Sequence, residues 1–295
     1  MLKKLLGIIR APFLLLVPAC LAPAYAVAWR EMGTVDPVLA TLVLVAGLAS
    51  HIGVNALNEY QDFRSGLDFA TTRTPFSGGS GTLVADTNFA PVALFVAFLG
   101  ILVTFTIGLY FVWQIGPQVI VPGLLGLAVI AGYTKWINNF PLLCLFAPGI
   151  GFGLLLVNLG TLVLLGSVPV AALWVSIPVT LLVSNLLLVN QLPDVEADRR
   201  VGRNHLAIAW GTAWAGRVSV VLLAGVYLSI VLGWLVGALP APTLLAWLTI
   251  PLAAVVGVRV LAFDPLQPRR LLPGMGANVA LTLLTPALMA VGLVW

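Results

Sequence analysis

The chain is predicted to be all-α: a polytopic membrane protein of nine transmembrane helices, built as a helical bundle with two parallel pseudo-repeats. Three observations predict it. Hydrophobic residues make up 61% of the chain and charged residues 8%, whereas soluble domains average roughly a quarter charged. Apolar runs of about 20 residues, the length that crosses a bilayer as a helix, recur near 11–29, 38–59, 90–113, 118–136, 142–165, 168–190, 215–238, 242–263 and 273–295. Two of those spans, four apart, end in the same polar pattern, Asn58-x3-Asp62 and Asn190-x3-Asp194. Residues 1–295 read as one membrane domain, without room for a separate soluble unit.

The first span carries Pro12, Pro18 and Pro23, which kink it and leave backbone carbonyls for neighbouring helices to satisfy. Lys3, Lys4 and Ala24-Tyr25-Ala26 imitate a signal peptide, but the apolar run continues to Trp29, so it reads as an uncleaved helix. The second span contains His51, read as a packing or hydrogen-bonding residue. Its end places Asn55, Asn58 and Asp62 at i, i+3 and i+7, one helical face. Asp68 lies six residues further on, where a loop can fold it back toward the same point.

The loop 63–89 is long for a bundle, and loops beyond about 12–15 residues are usually functional or disordered. Within it, Phe76-Ser77-Gly78-Gly79-Ser80-Gly81 can wrap an anion with backbone N–H groups. No Gly-Lys-Ser/Thr follows, so it is not a P-loop. The fourth span ends in Gly132-Tyr133-Thr134-Lys135-Trp136, where Lys135 is either a snorkelling lysine or a cation aimed at phosphate. In the fifth, Asn158 stands among leucines, able to bond across helices. The sixth closes with Asn190, Asp194 and Asp198, on one face if the helix persists through Pro193. Arg199, Arg200 and Arg203 follow, then His205, expected to be exposed. Cys20 and Cys144 lie inside apolar spans and read as packing residues.

Charge orients the spans. With the N-terminus in the cytoplasm, 13 of the 14 Lys and Arg fall on that side and only Arg30 outside, a positive-inside bias. The net charge of +4 is spread over several membrane loops and does not indicate nucleic acid. The expected location is a bacterial inner membrane, with the polar clusters facing the cytoplasm.

Those clusters carry the chemistry. Each alone can be a helix cap facing water. Two of them, ending helices on the same side, bring several carboxylates together, and like charges repel unless cations intervene. A hard cation such as Mg2+ prefers oxygen ligands and commonly bridges them to phosphate. Above a cavity of apolar helices, a polyanionic head with an apolar tail fits: a lipid diphosphate. Cations make diphosphate a better leaving group, and the allylic group left behind can be trapped by an electron-rich acceptor. That reaction is prenyl transfer.

The two motifs in register with the spans resemble those of the UbiA superfamily of intramembrane prenyltransferases, over nearly the whole chain. The family's Asn-x3-Asp-x5-Asp motif matches Asn58, Asp62 and Asp68; its second motif matches Asn190, Asp194 and Asp198, followed by Gly202-Arg203. Tyr133-Thr134-Lys135 matches a segment that often holds a tyrosine and basic residues. The resemblance implies a UbiA-like bundle open sideways to the bilayer, and Mg2+-dependent transfer of a polyprenyl group from its diphosphate to an aromatic acceptor. It implies Asp62, Asp68, Asp194 and Asp198 as metal-side carboxylates and Asn58 and Asn190 as their partners. Arg73, Lys135, Tyr133, Arg199, Arg203 and Asn55 are the candidates for substrate contact. Gln191 and Arg203 depart from the acid and the Lys usual at those places. The Arg73–Gly81 loop differs from known quinone branches and leaves the acceptor open. Asp62-Phe63-Arg64-x-Gly66-x-Asp68 leans toward the dihydroxynaphthoate branch, which makes menaquinone, over the hydroxybenzoate branch. A transporter or lipid-binding protein built on the same carboxylates, or a relative acting on haem or a chlorophyll precursor, are the alternatives.

Overall fold

Every apolar run forms a helix and no strand is present in the computed structural model, which describes residues 1–295. A short helix α1 (Leu2–Ile8) precedes the spans α2 (Ala11–Met32), α3 (Pro37–Ser65), α4 (Thr87–Ile115), α5 (Pro117–Gly132), α6 (Pro141–Leu165), α7 (Val170–Arg200), α8 (Thr212–Leu235), α9 (Ala241–Leu261) and α10 (Pro268–Val294). Eight of these are long and apolar enough to cross a membrane. The fourth expected span, α5, falls short. It unwinds at Gly132, before the expected Trp136, and only Val119 and Gly132 of its residues are buried. At ~1.5 Å per residue it reaches about 24 Å, less than the ~30 Å hydrocarbon core.

α7 is the centre of the bundle, with 72% of its apolar window buried. Around it, Leu182, Leu188, Val226, Met275, Leu281 and Met289 form the fully buried core. α6 packs closely on α7 through a π-helical segment, Ile150–Val157. A Cβ on Gly153 would lie 2.7 Å from the Ser176 carbonyl oxygen, so only glycine permits that approach.

Two local features set the site. α3 continues past the end of its apolar run to Ser65, so Asn55, Asn58 and Asp62 share one helix, as their spacing predicts. Gly66, at φ +82°, then reverses the chain into a one-turn helix, Leu67–Ala70, that buries Asp68. α7 does not run straight through Pro193. A 3-10 turn at Leu192–Asp194 separates the main helix from Val195–Arg200, which tightens the register between Asn190 and Asp198. At the N-terminus, Ile8 packs against Leu83 and Phe89, which tucks α1 beneath the 63–89 loop.

Candidate active site

The ends of α3 and α7 meet. The guanidinium of Arg203 donates through one nitrogen to Asp62 and through the other to Asp198 Oδ1 at 2.8 Å. One planar fork thus joins the two sequence motifs, which lie 141 residues apart at the Asp62–Arg203 bond. Asp62 and Asp198 are both buried. His205, expected to be exposed, is fully buried instead, because its Nε2 lies 3.0 Å from Asp198 Oδ2 and anchors that carboxylate.

The glycine loop fills the space between the other two carboxylates. Ser77 and Gly78 lie against Asp194. Gly79, at φ +71°, comes so near Asp68 that a Cβ there would sit 2.6 Å from Oδ1. Asp68 Oδ2, Asp194 Oδ1 and Asn190 Oδ1 are buried with no hydrogen-bond partner. An unpaired buried oxygen is costly, and all three residues line one cavity of about 470 Å3. From this polar mouth the cavity runs along α3 as far as Val43, with Leu109 and Leu124 on its outer wall. Both of those side chains are exposed on the lipid-facing surface.

No three acidic, His or Cys side chains stand close enough to enclose a metal ion by themselves. The orphaned oxygens nevertheless fit Mg2+, which is usually held by one or two carboxylates with substrate phosphates completing its shell. Asp68 carries the electrostatic mark of the site. Burial, then the negative charges of Glu59 and Asp62, push its carboxyl up to about 7. The folded apo-protein therefore keeps a proton that the unfolded chain loses near pH 4. The sign follows: stability of the apo-protein falls as pH rises from about 4 through 7. A cation that takes this carboxylate must displace the proton. Calorimetric affinity for Mn2+ is expected to be roughly tenfold stronger at pH 8 than at pH 6, and equal affinities would remove Asp68 from the ligand set.

Of the remaining candidates, Asn58 accepts from Arg10 at 2.9 Å and donates to Thr134 at 3.0 Å, and it faces the cavity. Asn55 donates to the Ile9 carbonyl at 3.0 Å. Tyr133 lines the cavity beside Cys144. The other cations do not converge there. Arg73 donates to the Asp68 backbone carbonyl at 3.2 Å and packs on Gly81. Lys135 is exposed above the Trp136 ring. Arg199 pairs with Glu196 at 3.1 Å on the surface.

Sequence reasoning missed a second ion pair. Glu59, with no exposed surface, accepts from Arg10 Nε at 2.8 Å, Ser80 N at 2.9 Å and Ser80 Oγ at 2.6 Å. Arg10 adopts a left-handed φ of +49°, uncommon for a non-glycine residue, and lines the cavity. The network ties α1, the glycine loop and Asn58 into one unit. An acid inside an otherwise apolar span, adjacent to the motif Asn, is the signal that marks Glu59. Its substitution Glu59→Ala removes the only carboxylate bonded to Arg10 and is expected to cost about 3 kcal/mol. Thermal unfolding in detergent checks this, and an unchanged midpoint would show the pair to be dispensable.

A model of the UbiA prenyltransferase family matches residues 15–279. A 1,4-dihydroxy-2-naphthoate octaprenyltransferase of Bacillus subtilis is 27% identical over 220 residues, covering 72% of this chain and 67% of the relative. A UbiA homologue from Aeropyrum pernix K1, solved in the apo state, superposes with a TM-score of 0.69 at 18% identity, covering 93% of this chain and 95% of its own. A UbiA homologue from Archaeoglobus fulgidus, bound to GPP and Mg2+, gives a TM-score of 0.64 at 15% identity, with 99% of each chain covered.

Proposed function

This chain belongs to the UbiA prenyltransferase family, and on that premise we propose that it transfers a polyprenyl group from its diphosphate to an aromatic quinone precursor, releasing diphosphate. The carrying observation is the union of both carboxylate motifs by Arg203 at the polar end of a cavity whose remaining walls, a few polar side chains apart, are mainly apolar. A charged head and a hydrocarbon tail call for that division. Asp68, Asp194 and Asn190 hold the cation, on the strength of their orphaned oxygens. Bound there, Mg2+ supplies charge neutralisation of the departing diphosphate. Arg203 orients Asp62 and Asp198 and lines the cavity that receives the head group. Backbone N–H groups of the glycine loop add neutral donors. The apolar walls keep water from the allylic cation, so that the acceptor rather than water traps it.

The Bacillus relative acts, by its name, on 1,4-dihydroxy-2-naphthoate, and the same acceptor is proposed here. The A. fulgidus homologue's ligands, GPP and Mg2+, support the donor class and the cation. The charge bias supports a carboxylate end facing the cytoplasmic leaflet. The test incubates membranes with geranylgeranyl diphosphate, Mg2+ and a panel of aromatic acids. A metal-dependent prenylated product of the naphthoate is expected by mass, with diphosphate released from the donor and either a ring proton or CO2 lost from the acceptor as the ring regains aromaticity. Absence of any prenylated aromatic product, with the protein present and folded, would overturn the reading.

A further inference from the structure

Below Asn58, four polar side chains on α3 and α4 line the cavity: Asn55, His51, Ser50 and Thr104. Three are satisfied. Asn55 donates to the Ile9 carbonyl at 3.0 Å, Ser50 and Thr104 share a bond of 3.1 Å, and Thr104 also donates to the Gly100 carbonyl at 2.8 Å. His51 is the exception. It is 7% exposed, its Nδ1 has no hydrogen-bond partner, and its ring meets Phe152 edge-on at 5.0 Å. Phe152 belongs to the π-helical segment of α6 and lines the same cavity; such segments are frequent at functional sites.

A prenyl tail offers this imidazole nothing, since hydrocarbon neither donates nor accepts. Left unpaired beside the tail, the ring would pay the desolvation penalty of a buried polar group. A hydroxyl or carboxylate on an aromatic ring removes that penalty, because a neutral imidazole has one donor and one acceptor. His51 stands seven residues before Asn58 on the same helix face, about 10 Å deeper. A bicyclic ring with a polar substituent spans that interval while leaving a ring carbon near the diphosphate end.

Resting on the prenyl-transfer reading above, we infer that His51 and Phe152 form the binding subsite of the acceptor ring, with His51 bonding its oxygen substituent and Phe152 covering its face. His51 is then a determinant of which acceptor is used, not of prenyl length.

The test uses the full chain in detergent with geranyl diphosphate, Mg2+ and 1,4-dihydroxy-2-naphthoate. His51→Ala is expected to raise KM for the naphthoate roughly tenfold, the scale of one lost hydrogen bond, with KM for geranyl diphosphate within about twofold of wild type. His51→Asn, which keeps a donor and an acceptor, recovers part of the loss; Phe152→Leu raises the naphthoate KM alone. If His51→Ala turns over too slowly to assay, equilibrium binding replaces kinetics: loss of naphthoate affinity with geranyl diphosphate affinity retained supports the subsite. Unchanged naphthoate affinity, equal loss of both substrates, or a changed preference among prenyl lengths alone overturns it. Wild type inert toward every acceptor refutes the functional reading instead. Wild type using 4-hydroxybenzoate rather than naphthoate moves the same measurements to that acid.

Discussion

Asp62→Ala and Asp194→Ala each lower prenyl transfer about a thousandfold or more, the scale of several kcal/mol of lost transition-state stabilisation. The protein stays folded in membranes in both cases. The two variants differ in a way that separates chemistry from architecture. Asp194 Oδ1 has no partner in the protein, and the rest of the carboxyl meets only Ser77 and Gly78 of the glycine loop, so deleting it lowers thermal stability less than deleting Asp62 does. Asp62 accepts from Arg203, so deleting it also loosens the link between α3 and the segment after α7. Activity and unfolding midpoints measured on the same preparations read both effects. Normal turnover in both variants would reject the active-site assignment.

Arg203→Ala carries the largest expected effect on stability. Asp62 and Asp198 are buried and share this one guanidinium. Without it, the Asp62 side chain loses its only hydrogen-bond partner and Asp198 keeps only His205. Breaking a buried pair by removing one partner costs about 3–5 kcal/mol, and here two acids lose one cation. The same reasoning predicts a partial rescue. Divalent cation bound at the mouth replaces some of the missing positive charge, so added Mg2+ raises the unfolding midpoint of Arg203→Ala more than that of wild type. A variant as stable as wild type, or equal shifts in both, would show that the bridge does not hold the motifs together.

The membrane class, the helix order and the meeting of the two motifs were legible because each rests on a strong local signal: long apolar runs, turn residues between them, and a repeated Asn-x3-Asp. The folding back of Asp68 was legible from its spacing, six residues beyond Asp62; that Gly66 makes the reversal is seen only in the fold. The roles of the cations were not. Arg10, Arg73, Arg199 and Arg203 look alike along the chain, and only tertiary packing decides that Arg203 and Arg10 enter the cavity while Arg199 stays on the surface. His205 reads as a loop residue until Asp198 is seen to bury it. α5 reads as a full span because hydropathy registers composition, whereas its length is set by where Gly132 and the following turn end the helix. The kink at Pro193 was marked by the residue itself, but the 3-10 turn that it produces depends on the packing of α7.

Equilibrium binding of geranyl diphosphate with Mg2+ to Asp62→Ala, Asp194→Ala and the double variant is the most direct measurement of whether the two motifs act on one ligand. If they share it, the cycle is strongly non-additive: either single substitution abolishes nearly as much affinity as both together. Losses that simply sum, as for independent sites, would contradict the account.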